Sequence, residues 1–372
     1  AGDRLDTQKR RLGFCRIEWE ANEAAPADAD PWICVVNGRR LFLFGVNWTP
    51  IRPVFADVTE DDYRRRLAVY RAMGVRLLRV WGGAFLEKEI FYRLCDEMGF
   101  LVWQEFPLSS SGCENYPPDA PDSMEALAEI ARSYLARRAH HTSLAVWCGG
   151  NELRATKEDN QVPVTLEHPL IKRFADIVAE MDPGRRFVPS APCGPRFNAQ
   201  PENFGRGLHW AVNGPWKAGG QLEDEWQEYW EKDDALMRTE TGAPGPSDAA
   251  LIRRYAGDLS PMPCSPENPL WRRTPWWLEN AQFEAENGQP PQTLEEYVAW
   301  GQERQKKALA HAARCCDERF PRCGGFVVWM GHDSFPCAAN TSLVDFEGNP
   351  KPAAFGLAER FGDPQRLQRL AR

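Results

Sequence analysis

The chain has 372 residues, of which 43% are hydrophobic and 26% charged, and a net charge of −8. That balance is ordinary for a globular protein. There is no basic block to neutralise phosphates, so nucleic acid is not an expected partner. No apolar run approaches the roughly 18 residues of a membrane span, so no membrane partner is expected either.

Residues 13–20 (GFCRIEWE) alternate like a strand, but no partner strand is visible near them. A lone strand cannot bury a face. The expectation is that residues 1–30 are the remnant and linker of an upstream β-sandwich domain, and that residues 31–372 form the main domain. Residues 32–36 and 40–44 flank Asn37-Gly38 and read as a hairpin. The hairpin feeds a first buried strand over 44–48. Thr59 and Asp62 form a capping box for a helix that Gly74 stops.

Strand and helix then alternate. Strands are expected over 75–81, 100–103, 143–148, 187–190, 208–210, 235–240 and 325–330. Helices are expected over 87–98, 123–140, 168–181 and 295–313. The strands are continuous apolar runs, so both faces must be covered. That pattern predicts an α/β fold, a (β/α)8 TIM barrel with its helices outside. Residues 257–291 contain Trp271, Trp276 and Trp277 but no clean period. They read as a cleft wall or as padding.

In such a barrel the site lies at the C-terminal strand ends. Those ends carry Asn47, Trp48, Trp81, Trp103, Glu105, Asn151, Glu152, His209, Trp210, Glu240 and Trp329, followed by His332 and Asp333. Two carboxylates on facing strands suit cleavage of a glycosidic bond: one protonates the leaving oxygen, and the other attacks or activates water. Glu152 and Glu240 are the candidates, and their environments must differ so that one is acid and the other ionised. The chain has fifteen Trp, divided in this reading between core and flat platforms for sugar rings. Glu105 reads as a partner of Arg79. His332 and Asp333 are candidate sugar contacts. His140 and His141 lack metal-ligand spacing and read as structural.

The eleven cysteines are irregularly spaced, with no C-x-x-C. They suggest neither a zinc framework nor a disulfide scaffold. Buried free thiols fit a reducing, cytoplasmic compartment. No cofactor or metal is expected.

The strings Arg79-Val80-Trp81-Gly82-Gly83, Val102-Trp103-Gln104-Glu105-Phe106, Trp147-Cys148-Gly149-Gly150-Asn151-Glu152 and Gly348-Asn349-Pro350-Lys351-Pro352 together resemble glycoside hydrolase family 2, in its β-mannosidase branch. The resemblance spans roughly residues 32–355. It implies a retaining double displacement that removes terminal β-mannose, with Glu152 as acid/base and Glu240 as nucleophile. It also implies that Asn151 contacts the 2-hydroxyl, that Trp81 lines the terminal-sugar pocket and that Trp329 floors it. No metal is implied. Family members carry sandwich domains before the barrel, which fits the remnant reading of 13–20. The chain departs from the family at Thr239, where Ser is usual, in the residues after Glu240, and at Gly150, where mannosidases often have Asn. The segment 257–291 has no counterpart in the family pattern. Sister specificities (endo-β-mannosidase, exo-β-glucosaminidase) and a non-catalytic carbohydrate-binding barrel are the alternatives.

Overall fold

The computed structural model describes residues 13–109, 115–158 and 161–371. Residues 1–12 of the expected remnant lie outside these. β1 (Ile17–Glu20), β2 (Ile33–Val36) and β3 (Arg39–Leu41) form a small antiparallel sheet. Asn37 and Gly38 both have positive φ (50° and 79°), as a two-residue hairpin turn requires. The strand expected to stand alone has a partner: β1 pairs with β2 from Ile17 opposite Val36 to Glu20 opposite Ile33. This ladder crosses the boundary expected at residue 30. Ile17 and Trp19 pack against the barrel's inner core, so this sheet serves as the barrel floor.

The barrel begins with β4 (Leu43–Trp48) and α1 (Glu60–Met73), then β5 (Leu77–Val80), α2 (Glu89–Met98) and β6 (Leu101–Glu105). It continues through α3 (Pro121–Arg138), β7 (Leu144–Cys148), α4 (Pro169–Met181), β8 (Arg186–Val188), β9 (Ala211–Val212), α5 (Gln227–Lys232) and β10 (Met237–Thr241). β11 (Gly245–Pro246), α6 (Ala249–Ala256), α7 (Asn280–Asn287) and α8 (Leu294–Glu318) precede β12 (Gly325–Val328). β13 (Ala339–Asn340), α9 (Pro352–Phe361) and α10 (Pro364–Leu370) close the chain.

The eight barrel strands run parallel in the order β8-β7-β6-β5-β4-β12-β10-β9. The remaining seam, between β8 and β9, is bridged by reciprocal backbone bonds between Cys193 and Ala211 (3.0 and 3.1 Å). The local signals acted as read. Thr59 caps α1 in a capping box with Asp62, and Gly74 (φ 84°) and Gly99 (φ 76°) end α1 and α2.

Alternation along each strand separates two cores. Leu43, Leu77, Leu101, Trp103, Val188, Met237 and Val327 face inward above Trp32. Phe44, Val46, Leu78, Val80, Val102 and Trp147 face the helices. Both faces are apolar, which is why the strands read as unbroken hydrophobic runs.

Of the two readings of residues 257–291, cleft wall and padding, the structure favours padding: the segment is mainly a core of its own. Leu270, Trp271, Leu278 and Phe283 pack on Leu294, Tyr297 and Val298 of α8. Trp276 stays exposed. No described helix is long and apolar enough to cross a membrane. The ten described cysteines are free thiols.

Candidate active site

Above the inner apolar layer, at the C-terminal end of the barrel, lies a buried arginine. Arg79 on β5 is fully buried and distributes its donors over four strands. Its Nε donates to Glu105 Oε1 (2.8 Å) on β6, and its Nη1 to Asn47 Oδ1 (2.7 Å) on β4 and Glu240 Oε1 (2.7 Å) on β10. Its Nη2 donates to Asn151 Oδ1 (2.5 Å), just past β7. A planar guanidinium with five donors suits such a hub. Glu105 is therefore a partner of Arg79, and its Oε2 also accepts from Gly82 N (2.7 Å). Because Arg79 holds Oδ1 of Asn151, the amide nitrogen is directed the other way, toward Ser109 Oγ (3.4 Å).

Glu240 is buried with both carboxylate oxygens engaged. Arg79 holds one, and Trp216 Nε1 donates to the other at 3.0 Å. Burial pushes the Glu240 carboxyl up to about 8; Arg79 pulls it down, the Glu152 charge raises it, and the Trp216 N–H lowers it.

Glu152 is partly exposed and has φ 53°, in the left-handed region that a non-glycine residue rarely adopts. Its N–H donates to Ala191 O (2.9 Å), and Ser190 Oγ accepts from Leu153 N (2.9 Å), which hold the turn. Strain of this kind, maintained by its surroundings, points to function. The preceding Gly149 fits because a Cβ there would lie 2.2 Å from Pro189 O. Asn213 Nδ2 donates to Glu152 Oε1 at 3.0 Å.

The half-buried rings of Trp81 and Trp329 meet edge to face, 5.3 Å between centroids at 71°. Trp329 N donates to Thr241 O (2.8 Å), which ties it to the strand carrying Glu240. Gly83 lets the Trp81 ring lie over the backbone, since a Cβ at 83 would sit 2.0 Å from that ring.

Four expected contacts lie elsewhere. Trp103 is fully buried inside the barrel, stacked on Trp32 at 5.8 Å and 9°. It shares the inward face with Leu101, below Glu105. His209 and Trp210 precede β9, which spans only residues 211–212, so they lie at the opposite end of the barrel from the two glutamates. His209 is buried between Asp234 (2.5 Å) and the Gln200 N–H, and the Trp210 indole donates to Gly207 O (3.1 Å). Asp333 is fully buried and accepts from Asn340 Nδ2 (2.7 Å), and burial raises its carboxyl. It braces the loop after β12. The neighbouring His332 is likewise buried, with Nδ1 2.6 Å from Tyr70 Oη. His141 lies between Asp96 (2.6 Å) and Glu89 (3.1 Å), and Arg138 pairs with the same Glu89 (2.7 Å).

A family model described as "Glycosyl hydrolases family 2, TIM barrel domain" matches residues 32–185, which include Arg79, Trp81, Asn151 and Glu152. Residues 32–185 are thus similar to the barrel domain of glycoside hydrolase family 2. Beta-mannosidase B of Thermothelomyces thermophilus is 27% identical over 388 residues, covering 95% of this chain and 43% of that protein. Beta-mannosidase B of Emericella nidulans is 26% identical, covering 87% and 39%. Among solved structures, the beta-D-mannosidase from Dictyoglomus thermophilum superimposes with a TM-score of 0.77 at 23% identity, covering 96% of this chain and 43% of its own. The exo-chitosanase from Amycolatopsis orientalis gives 0.69 at 15%, covering 94% and 40%. The chain thus spans under half the length of these relatives.

Two residues in contact with the candidate glutamates escaped the sequence reading, Asn213 and Trp216. Their signal was the Asn213-Gly214-Pro215 turn, which marks the true end of the sixth strand. Trp216→Phe is expected to remove a charge-assisted bond from Glu240. Its carboxyl should rise further, so the acid limb of kcat/KM should move to higher pH. The optimum rate should fall about ten- to a hundredfold. A pH–rate profile unchanged from wild type would exclude this role.

Stability should carry the same signature. The ordinary value for the Glu240 carboxyl is 4.5, and in the fold it is about 8. The group's contribution is therefore complete below 4.5 and is lost as pH rises through 8. Glu240→Gln, which cannot ionise, should gain on wild type across that window by on the order of a few kcal/mol in urea titrations. A difference that stays constant with pH would contradict the raised value.

Proposed function

We propose that this chain is the catalytic barrel of a retaining β-mannosidase that removes terminal β-mannose from oligosaccharides or glycoconjugates. Glu240 is the nucleophile and Glu152 the general acid and base. The observation that carries the reading is the asymmetry of the two carboxyls. Glu240 is buried, and Arg79 and Trp216 fix both its oxygens. Glu152 is partly exposed on a strained turn and receives an amide N–H.

A fixed carboxylate suits in-line attack at the anomeric carbon. A more accessible one suits exchange of a proton with the leaving oxygen and then with water. The first step needs Glu240 ionised and the proton on Glu152, so the rate should rise as Glu240 loses its proton near pH 8. Trp81 and Trp329 supply apolar faces for one sugar ring, and Asn151 supplies a donor for the 2-hydroxyl. The fungal relatives named Beta-mannosidase B support mannose over other sugars. The upstream sandwich domains belong to the same proposal.

The test is hydrolysis of p-nitrophenyl β-mannoside, glucoside, galactoside, glucosaminide and glucuronide by the purified chain and by the full-length protein. Preference for the mannoside supports the reading, and preference for the glucosaminide replaces it with the sister specificity. No release from any sugar, even by the full-length protein, leaves a binding barrel.

A further inference from the structure

Asn213, between the sixth strand and the site, is bound at both ends of its side-chain amide. Nδ2 donates to Glu152 Oε1 (3.0 Å), and Oδ1 accepts from Thr239 Oγ1 (2.7 Å). The same Thr239 hydroxyl lies 3.1 Å from Val212 O, a second acceptor. A hydroxyl has one proton and two acceptor sites, so it can serve only one of these acceptors at a time. Asn213 and Thr239 are fully buried, and Asn213 N–H is anchored to Phe197 O (3.0 Å). A buried amide in this position must find a partner at each end.

We propose that Asn213 and Thr239 form a two-state amide relay that follows the proton on Glu152. The proposal rests on the acid/base role given to Glu152 above. With Glu152 ionised, Nδ2 faces the carboxylate and the Thr239 hydroxyl donates to Oδ1. When Glu152 takes up a proton, the amide turns by half a revolution. Oδ1 then accepts the acid proton, Nδ2 donates to Thr239 Oγ1, and the hydroxyl proton moves to Val212 O. No proton is gained or lost beyond the one on Glu152. Each relay donor keeps an acceptor in both states, which an acid that becomes a base within one turnover needs. Asn213 and Thr239 are positioning residues: they act through Glu152. Among the described residues, Glu240 on β10 and Arg79 on β5, with Glu105 on β6 behind Arg79, bring charge to the site. They are unchanged when the amide is replaced, so a shift read on Glu152 belongs to the amide.

The first measurement is a 13C titration of the Glu152 carboxyl, labelled at the glutamate side-chain carbon and assigned by its loss in Glu152→Gln. The amide's bond to the charged form is the stronger of its two, so Asn213→Leu should raise the Glu152 pKa by about one unit. The alkaline limb of kcat/KM should follow it upward. Asn213→Ala serves if the leucine variant does not fold. Thr239→Ser keeps the hydroxyl and should leave the value in place. Neutron diffraction below and above the Glu152 pKa should show the amide in opposite orientations. An unmoved pKa in Asn213→Leu, or one amide orientation at both pH values, overturns the relay. A chain that cleaves no glycoside removes the mannosidase reading, and the titration and the neutron maps still decide the relay.

Discussion

Glu240→Gly is expected to lose about four orders of magnitude or more in turnover of an activated β-mannoside, a loss on the scale of removing a nucleophile. Sodium azide is then expected to restore part of the rate, giving the α-mannosyl azide. The substitution opens a space beside Arg79, whose guanidinium loses the Glu240 carboxylate and so attracts a small anion. Azide bound there attacks the face that Glu240 would have used, and the configuration inverts. Glu152→Gly should behave differently. With a good leaving group the first step needs no acid, so the glycosyl-enzyme forms and azide enters from the Glu152 side, giving the β-azide. Product stereochemistry thus separates the two roles, which rate loss alone does not. The β-azide from Glu240→Gly, or a retained wild-type rate, would remove Glu240 from the nucleophile's role.

The barrel was legible because its strands are two-faced. Sequences such as Leu77-Leu78 and Val327-Val328 bury one residue inside and the next against the helices, and that leaves an unbroken apolar run. Glu152 and Glu240 stood out as candidates because each lies at the C-terminal end of a strand, Glu152 just past β7 and Glu240 within β10. The sixth strand was not legible. Its ladder to β10 has only the rungs Met237–Ala211 and Arg238–Val212, and the aromatic Leu208-His209-Trp210 looked more like a strand than the Ala-Val that is one. A shift of two residues moved His209 and Trp210 from the barrel mouth to its base and hid Asn213 and Trp216.

Trp103 failed through depth. Its inward face follows from the alternation Leu101-Trp103-Glu105, but the ring that covers it, Trp32, comes from the floor hairpin 71 positions earlier. Asp333 failed because Asn340 on β13 and Lys351 just before α9, which engage it, lie beyond β12. Local pattern shows which way a side chain points, and long-range packing decides whether a substrate can reach it.

Arg79→Met is the substitution expected to damage the fold most. It would leave Glu105 and Glu240 buried without their shared cation, and Asn47 and Asn151 without the donor that orients them. Removing one partner of a buried ion pair costs about 3–5 kcal/mol, and here one cation serves two carboxylates. Arg79→Lys should recover only part of this, because an ammonium cannot reach four acceptors on four strands in one plane. The damage should depend on pH in a defined direction. Burial already raises both Glu105 and Glu240, and Arg79 opposes the rise. Without the arginine both carboxyls should stay protonated to higher pH. A neutral carboxyl needs no cation, so the stability gap between wild type and Arg79→Met should be smallest in acid. It should widen as pH rises toward and past 8. Urea titrations of the two proteins at pH 5 and pH 8.5 measure it. An equal gap at both pH values would mean that Arg79 acts by filling space, and the electrostatic account of Glu240 would fall with it.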